Sequence, residues 1–377
     1  MSLISYVTKI HFAEGVLEDA LEAELEILGI KRPIVICDNG PEREAVTGRL
    51  MAAIPRDVRA AVFEAPTPLA TEEACGRAAQ LYADWDADGL IGFGAGAAIN
   101  LAKATALRVT HAGPLRQYGG GIGGAARIRD VLPPVIAIPT IAGSCTETVG
   151  VAVLAAPDGP NISLISPLLI PRVVICDPTL TLDLPAEQTA CAGMDALTHC
   201  LETYIATAYN PPADGIARDG LRRAAAHLER AVADGSDLEA RREMMAAALN
   251  GALAHQKGLG GVHAMSHALA GIGNRGIDHG AANAVLLPLV LEFNAPAVSA
   301  RYDAIKLEFG LPRKADLSEA VIRLRERIAL PDRLRQMGVR KTDLPRAASF
   351  AAADYANRTN PRHAGKDDYL AMLSAAF

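Results

Sequence analysis

Apolar positions along this chain fall into two textures. Up to about residue 184, short unbroken apolar runs alternate with helical patterns. PIVIC (Pro33 to Cys37) reads as a buried strand halted by Asp38-Asn39-Gly40, and LIGF (Leu90 to Phe93) as a second, followed at once by a Gly/Ala turn and a helix. VIAI (Val135 to Ile138) and VVIC (Val173 to Cys176) read as two more, ended by Pro139 and by Asp177-Pro178. Strands that alternate with helices imply a parallel sheet covered on both faces. VAVLAA and ISLIS flank Asp158-Gly159 and read as a hairpin attached to that sheet. Beyond Leu184 the apolar residues follow the helical period. Pro185 suits the first turn of a helix, and Ala224 to Ala233, Leu238 to Leu253 and Leu317 to Ile328 all fit helices. The expected fold is therefore an α/β domain over residues 1–184 and an all-helical domain over residues 185–377.

Composition agrees with two globular domains. The 377 residues are 50% hydrophobic, enough to build a sizeable core. The net charge of −6 is spread without a basic block, so nucleic acid is not expected as a partner. The N-terminal MSLISYVTKIHF carries no signal-peptide run, and no stretch of about 18 apolar residues suggests a membrane span. The six cysteines are scattered and form no CxxC pair, which fits a reducing cytoplasm better than a disulfide framework or a cysteine zinc site.

Three segments of the first half offer nucleotide chemistry, each beside a plainer reading. Gly94-Ala95-Gly96-Ala97-Ala98-Ile99-Asn100 joins a strand to a helix. Small residues there let a phosphate approach the helix N-terminus and its free N–H groups; equally, they let the helix pack closely on the strand. Asp38 ends a strand, where a carboxylate accepts ribose hydroxyls and repels a 2′-phosphate; equally, it forms a turn before Asn-Gly. Pro139 to Glu147, with Thr140, Ile141, Ser144 and Thr146, either lines a cofactor cleft or is a polar loop.

The second half carries metal-ligating types. Asp195 and His199 are four residues apart, as are His263 and His267, so each pair shares a helix face. His279 follows a Gly-rich stretch, and three of the nine histidines fall between 263 and 279. Several imidazoles with one carboxylate and no thiolate suit Fe²⁺ or Zn²⁺. A lone histidine on an apolar helix face is more often a hydrogen-bonded core residue; the clustering is what favours a metal.

In order along nearly the whole chain, these segments resemble the iron-containing (group III) alcohol dehydrogenases. The family's GGGSxxDxAK turn corresponds to GAGAAINLAK (Gly94 to Lys103), and its PTTAGTGSE loop to PTIAGSCTE (Pro139 to Glu147). Its DPxLTxxLP and GMDALTHxxExY run corresponds to Asp177 to Tyr204. Its HAMAHxLGG and HGxANAxLLPxVxxFN run corresponds to His263 to Asn294. The resemblance implies a dinucleotide-binding, Rossmann-like domain followed by an all-α domain, with NAD on one wall of a cleft and Fe²⁺ or Zn²⁺ on the other. It implies Asp195, His199, His263 and His279 as the metal ligands and His267 as a group near the nicotinamide, a candidate for proton exchange. It assigns Asp38 to the preference for NAD over NADP. Gly94, Gly96 and Ala97 fall to the pyrophosphate turn, Thr140, Ile141, Ser144 and Thr146 to the cofactor loop, and Asn161 to the nicotinamide ribose. The activity implied is hydride transfer between NAD(H) and a small alcohol or aldehyde, in a homodimer or larger homo-oligomer.

Four departures mark this chain within the family pattern. Asn100 and Ala97 replace an Asp and a Ser, Asn161 replaces a Lys, and Cys145-Thr146 replaces Gly-Ser. The loop before His279 is two residues longer, with Asp278 in place of Pro and with Arg275, which either attracts an anionic substrate or is a solvated loop charge. Two rival readings follow. A metal-free maleylacetate-reductase-like enzyme would lack Asp195, which is present. A non-catalytic nucleotide-binding relative would have no use for a converging ligand set.

Overall fold

The computed structural model describes residues 4, 6, 8–38, 44–66, 69–120, 123–156, 161–272 and 276–377. Asn39, Gly40, Asp158, Gly159 and Arg275, invoked above as turn or loop residues, lie outside them. The strands are β1 (Lys9–Phe12), β2 (Pro33–Asp38), β3 (Ala61–Ala65), β4 (Gly89–Gly94), β5 (Val135–Pro139), β6 (Val151–Leu154), β7 (Ile162–Ile165) and β8 (Val173–Cys176). Between them run α1 (Leu17–Leu28), α2 (Glu44–Ala53), α3 (Glu72–Asp84) and α4 (Gly96–Thr110). After β8 come helices only: α5 (Ala186–Ile205), α6 (Pro211–Ala233), α7 (Leu238–Ala254), α8 (Gly261–Ala270), α9 (His279–Glu308), α10 (Leu317–Arg327), α11 (Leu344–Ala353) and α12 (Lys366–Ala376), with short 3₁₀ turns between some of them.

Six strands form one parallel sheet in the order β1-β8-β5-β4-β2-β3. Alternate residues of β2 face opposite cores. Ile34 and Ile36 join a cluster with Ala74, Ala78 and Leu101 from α3 and α4, whereas Val35 and Cys37 pack with Leu21, Leu25 and Leu50 from α1 and α2. Strands covered on both faces read as continuous apolar runs, which is why β2, β4, β5 and β8 stand out in the sequence. The edge strands β1 and β3 do not. Lys9 and His11 of β1 turn instead to Glu24 of α1, at 2.9 and 2.7 Å.

The expected hairpin exists, with Val151 opposite Ile165, but it is not attached to the main sheet. β6 and β7 form a separate two-stranded antiparallel pair, and Ala152, Leu154, Ile162 and Leu164 pack into the α3–α4 side of the core. Pro185 is the residue before the first turn of α5 rather than within it, at φ −54° and ψ 148°.

The helical part packs on the carboxyl end of the sheet. Met245 of α7 meets Ile99, Ala137, Val174 and Cys176 in a small apolar cluster. Helix α9 is long and apolar enough to cross a membrane by length and composition, but 61% of its most apolar window is buried inside the protein. It carries Pro288 and Pro296, leaves helical geometry at Val298, and packs against α5, α8, α10 and α12.

Candidate active site and metal centre

At the carboxyl ends of β2, β4 and β5 the chain opens into a cleft of about 460 Å³ whose walls come from both the sheet and the helices. Open parallel sheets leave their ligand crevice at this edge.

On the sheet side, Asp38 ends β2 and its Oδ2 accepts the Ala95 N–H at 2.7 Å. The carboxylate thus also fastens the start of α4. Gly94 completes the turn at φ +143°, where a Cβ would lie 2.6 Å from that carboxylate, so only glycine fits. Among the described residues no side chain caps α4, and its first residues Gly96 and Ala97 line the cleft with Asn100. Unpaired N–H groups at the N-terminus of a 15-residue helix, with no Cβ at Gly96, have the geometry that could hold a phosphate. Asn100 is 7% exposed and its Oδ1 has no partner.

The loop after β5 supplies Ile141, Ser144 and Thr146 to the wall, and Asn161 faces them. The Ser144 and Thr146 hydroxyls are 3.1 Å apart. Gly94 and Thr140 sit behind this wall; Thr140 N–H donates to Gly94 O at 3.1 Å, and among the described residues its buried hydroxyl has no partner. Lys103 holds the loop from behind: its wholly buried Nζ donates to the carbonyls of Thr146 (2.7 Å), Val149 (3.1 Å) and Val151. Burial pushes Lys103 down to about 7 and, by the same cause, Glu147 beside it up to about 7.

On the helical side three helices converge. Ligand atoms of Asp195 (α5), His263 (α8) and His279 (α9) all lie within 4.8 Å of one another. Asp195 Oδ1 is 3.6 Å from His263 Nε2 and 3.8 Å from His279 Nε2. His199, one turn after Asp195, stands beside this group; its Nδ1 is 2.9 Å from Asp195 O, and its ring centroid 4.1 Å from that of His263. Three of the four sequence-derived ligand candidates thus share one cluster, and the fourth, His199, stands beside it. Close approach makes this possible: a Cβ on Gly280, next to His279, would fall 1.9 Å from Cys191 O, so glycine lets α9 press against α5.

The decisive partner is Glu202, which the sequence reading passed over. It continues the Asp195–His199 stripe of α5 and is fully buried. Its carboxylate accepts the backbone N–H groups of Gly260 (3.1 Å), Val262 (2.7 Å) and His263 (3.2 Å), so it caps α8 from another helix. It also lies 2.6 Å from His263 Nδ1. A carboxylate there accepts a hydrogen bond from Nδ1–H and leaves Nε2 to face the other candidate ligands. That Nε2 is buried, has no hydrogen-bond partner among the described residues, and lies among the atoms of Asp195 and His279. A buried imidazole nitrogen without a hydrogen-bond partner, beside a carboxylate and other imidazoles, fits a divalent cation that displaces its proton. Asn283 Nδ2 donates to Asp195 Oδ1 at 2.8 Å and fixes that carboxylate.

The electrostatics match. Burial alone would raise the Asp195 carboxyl, but His199 and His279 beside it outweigh that and hold it well below the usual range. Burial pushes His279 down to about 3, although 31% of its side chain meets the cleft. Burial, then His263, lowers His199 as well. His263 runs the other way: burial would lower it, yet Asp195 and Glu202 prevail and push it up to about 9. His267 lines the cleft with Nδ1 3.3 Å from both Asp354 oxygens and its ring stacked between His279 and Tyr355, at 5.4 and 5.5 Å.

Comparison with known proteins places this arrangement. Residues 7–178 match the model of the iron-containing alcohol dehydrogenase family, and residues 189–377 match that of the Fe-containing alcohol dehydrogenase C-terminal region. The chain is 42% identical over 384 aligned residues to a 4-hydroxybutyrate dehydrogenase of Cupriavidus necator, covering 100% of both. It is 33% identical to a 1,3-propanediol dehydrogenase of Klebsiella pneumoniae, covering 93% of each. A crystal structure of a 1,3-propanediol oxidoreductase superposes with a TM-score of 0.92 at 30% identity, covering 100% of both chains. With family models spanning both halves and full-length relatives named as dehydrogenases, the chain belongs to the iron-containing alcohol dehydrogenase family and is an alcohol dehydrogenase.

Proposed function

We propose that this dehydrogenase works with NAD(H) and with Fe²⁺ or Zn²⁺ held by Asp195, His199, His263 and His279. The observation that carries the proposal is the orphaned His263 Nε2, freed by the Glu202 contact and enclosed by the other candidate ligands. When bound, the cation supplies Lewis-acid stabilisation of negative charge on the substrate oxygen, and the nicotinamide supplies or accepts the hydride.

The chain's own groups do the rest. Asp195 stays ionised and Asn283 orients it. Glu202 keeps the His263 proton on Nδ1. Asp354 orients His267, which exchanges the hydroxyl proton with solvent at the cleft. Gly96, Ala97 and the open end of α4 receive the pyrophosphate. Asp38 meets the adenosine ribose and Asn161 the nicotinamide ribose, and Ser144 and Thr146 line the path between. The partly enclosed cleft limits water around the transfer.

Residues 1–184 then form the cofactor domain and residues 185–377 the metal domain. The substrate class is a short alcohol or its aldehyde, with ω-hydroxy acids first because the relative matched over its full length is named for 4-hydroxybutyrate. A homodimer or larger homo-oligomer follows if β1, an edge strand of the described sheet, pairs with a second copy. Six buried free cysteines suit a cytoplasmic location.

The test is metal analysis together with NADH oxidation against an aldehyde panel, with and without added Fe²⁺ or Zn²⁺. Turnover should vanish on chelation and return with one of the two ions. Full activity in metal-stripped protein would overturn the reading.

A further inference from the structure

Among the polar side chains on the cleft wall that have no part in the scheme above is His255. His255 follows the last residue of α7, and its ring reaches the cleft beside Cys145, His199 and Leu259. Its ring centroid is 6.2 Å from that of His199, on a ring that itself lies 4.1 Å from His263. Among the described residues nothing hydrogen-bonds to the His255 ring; its neighbour contact is the tilted His199 ring. The ring is half-buried and neither nitrogen is among the fully buried atoms left without a partner, so its N–H stays open to water or to a ligand in the cleft. Every protonation state of histidine keeps at least one N–H donor.

The charge of the wall sharpens the point. The described lining residues include Asp38, Asp195 and Asp278 but no lysine or arginine. Among the described lining residues, the donors open to a second oxygen function on a substrate are therefore neutral. An extended four-carbon chain spans about 4 Å, which fits within the 6.2 Å between the ring centroids of His199 and His255.

Building on the dehydrogenase reading of this cleft, we infer that His255 is a specificity residue: its ring N–H receives the far oxygen function of a bifunctional short-chain substrate. The acceptor chemistry is shared by a carboxylate and a hydroxyl, so the class comprises ω-hydroxy acids and terminal diols with their aldehydes. The ring selects these over monofunctional alcohols of equal length by leaving a donor unpaired when the far end is a methyl group.

The test uses metal-loaded enzyme with NADH and compares 4-oxobutanoate, 4-hydroxybutanal and butanal, in wild type, His255→Phe and His255→Gln, with metal content measured for each. In His255→Phe the ratio of kcat/KM for a bifunctional aldehyde to that for butanal should fall at least tenfold, mainly through KM. His255→Gln, which keeps a donor, should restore part of it. A loss confined to 4-oxobutanoate assigns the donor to a carboxylate, and an equal loss for both assigns it to any oxygen acceptor. Parallel losses on all three substrates, an unchanged ratio, or loss of metal in both variants would overturn the role. If wild type with either ion reduces butanal but neither bifunctional aldehyde, the specificity proposal alone fails. If it reduces none of the three, the reading of the cleft falls first and this proposal with it.

Discussion

Glu202 Oε2 sits 2.6 Å from His263 Nδ1, and neither residue is exposed to solvent. One carboxylate thus sets the tautomer of a candidate ligand and caps the helix that carries it. Glu202→Gln keeps the volume but loses the charge. Metal affinity should fall 10- to 100-fold, as is usual when the partner of a ligating histidine is replaced. Added metal should recover much of the activity. Equilibrium dialysis against Fe²⁺ or Zn²⁺ checks it, and an unchanged Kd would detach Glu202 from the centre.

His263→Ala removes the group that links the two carboxylates. Metal retention and turnover should both be lost, while the sheet, built from residues up to Cys176, stays folded. Metal analysis, steady-state assay and circular dichroism together distinguish this from global unfolding; normal turnover would refute the scheme.

Metal uptake should depend on pH in a defined direction. In metal-free protein His263 is raised to about 9 and holds a proton below that value, whereas burial keeps His279 near 3, already neutral above it. Binding a cation at His263 Nε2 must therefore expel one proton below about pH 9. The apparent Kd should fall about tenfold per pH unit as pH rises toward 9 and level off beyond it. Titration calorimetry in buffers of different ionisation heat reads the proton directly. A Kd that stays flat between pH 6 and 8, as rough bounds, would contradict the assignment.

Lys103 carries three backbone carbonyls of the segment that walls the cleft. Lys103→Met strands those acceptors in a dry interior, at about 1–3 kcal/mol for each left unpaired. The midpoint of thermal unfolding should drop, and KM for NADH should rise several-fold with a smaller change in kcat, because Thr146, Val149 and Val151 line the cleft. A variant with wild-type KM would show that the loop holds its place without the lysine.

At Gly280 even one methyl group would meet the Cys191 backbone. Gly280→Ala should displace the start of α9, costing about 1–3 kcal/mol by overpacking, and should weaken metal binding through His279. Thermal melts and metal affinity measured on the same sample test both effects; the idea fails if stability drops while affinity holds.

Much of this was legible in the chain itself, for identifiable reasons. β2, β4, β5 and β8 are buried on both faces, so their apolar runs are unbroken. β1 and β3 lie at the edges, where Lys9, His11 and Glu64 interrupt the signal. The pairing of β6 with β7 could be read from alternation, but its separation from the main sheet depends on long-range packing. Asp195 and His199 showed themselves by four-residue spacing. Glu202 lies on the same stripe, yet a glutamate on a helix ordinarily signals solvent, and only tertiary burial reveals otherwise. Thr140 looked like a cleft hydroxyl because its loop is polar, whereas the residue is buried behind the wall, where its backbone N–H meets Gly94 O. His255 carries no motif, and its role emerges only from the space that its ring faces.

The convergence of α5, α8 and α9 has a thermal corollary. Glu202 and His263 are 61 positions apart along the chain, and Asp195 and Asn283 88 apart. An ion seated among these helices would act as a rivet closing long loops, and any binding energy reserved for the native state adds to its resistance to heat. Scarcity of the ion would then shorten the working life of the enzyme as well as slow it, and protein made without metal would be the first to melt.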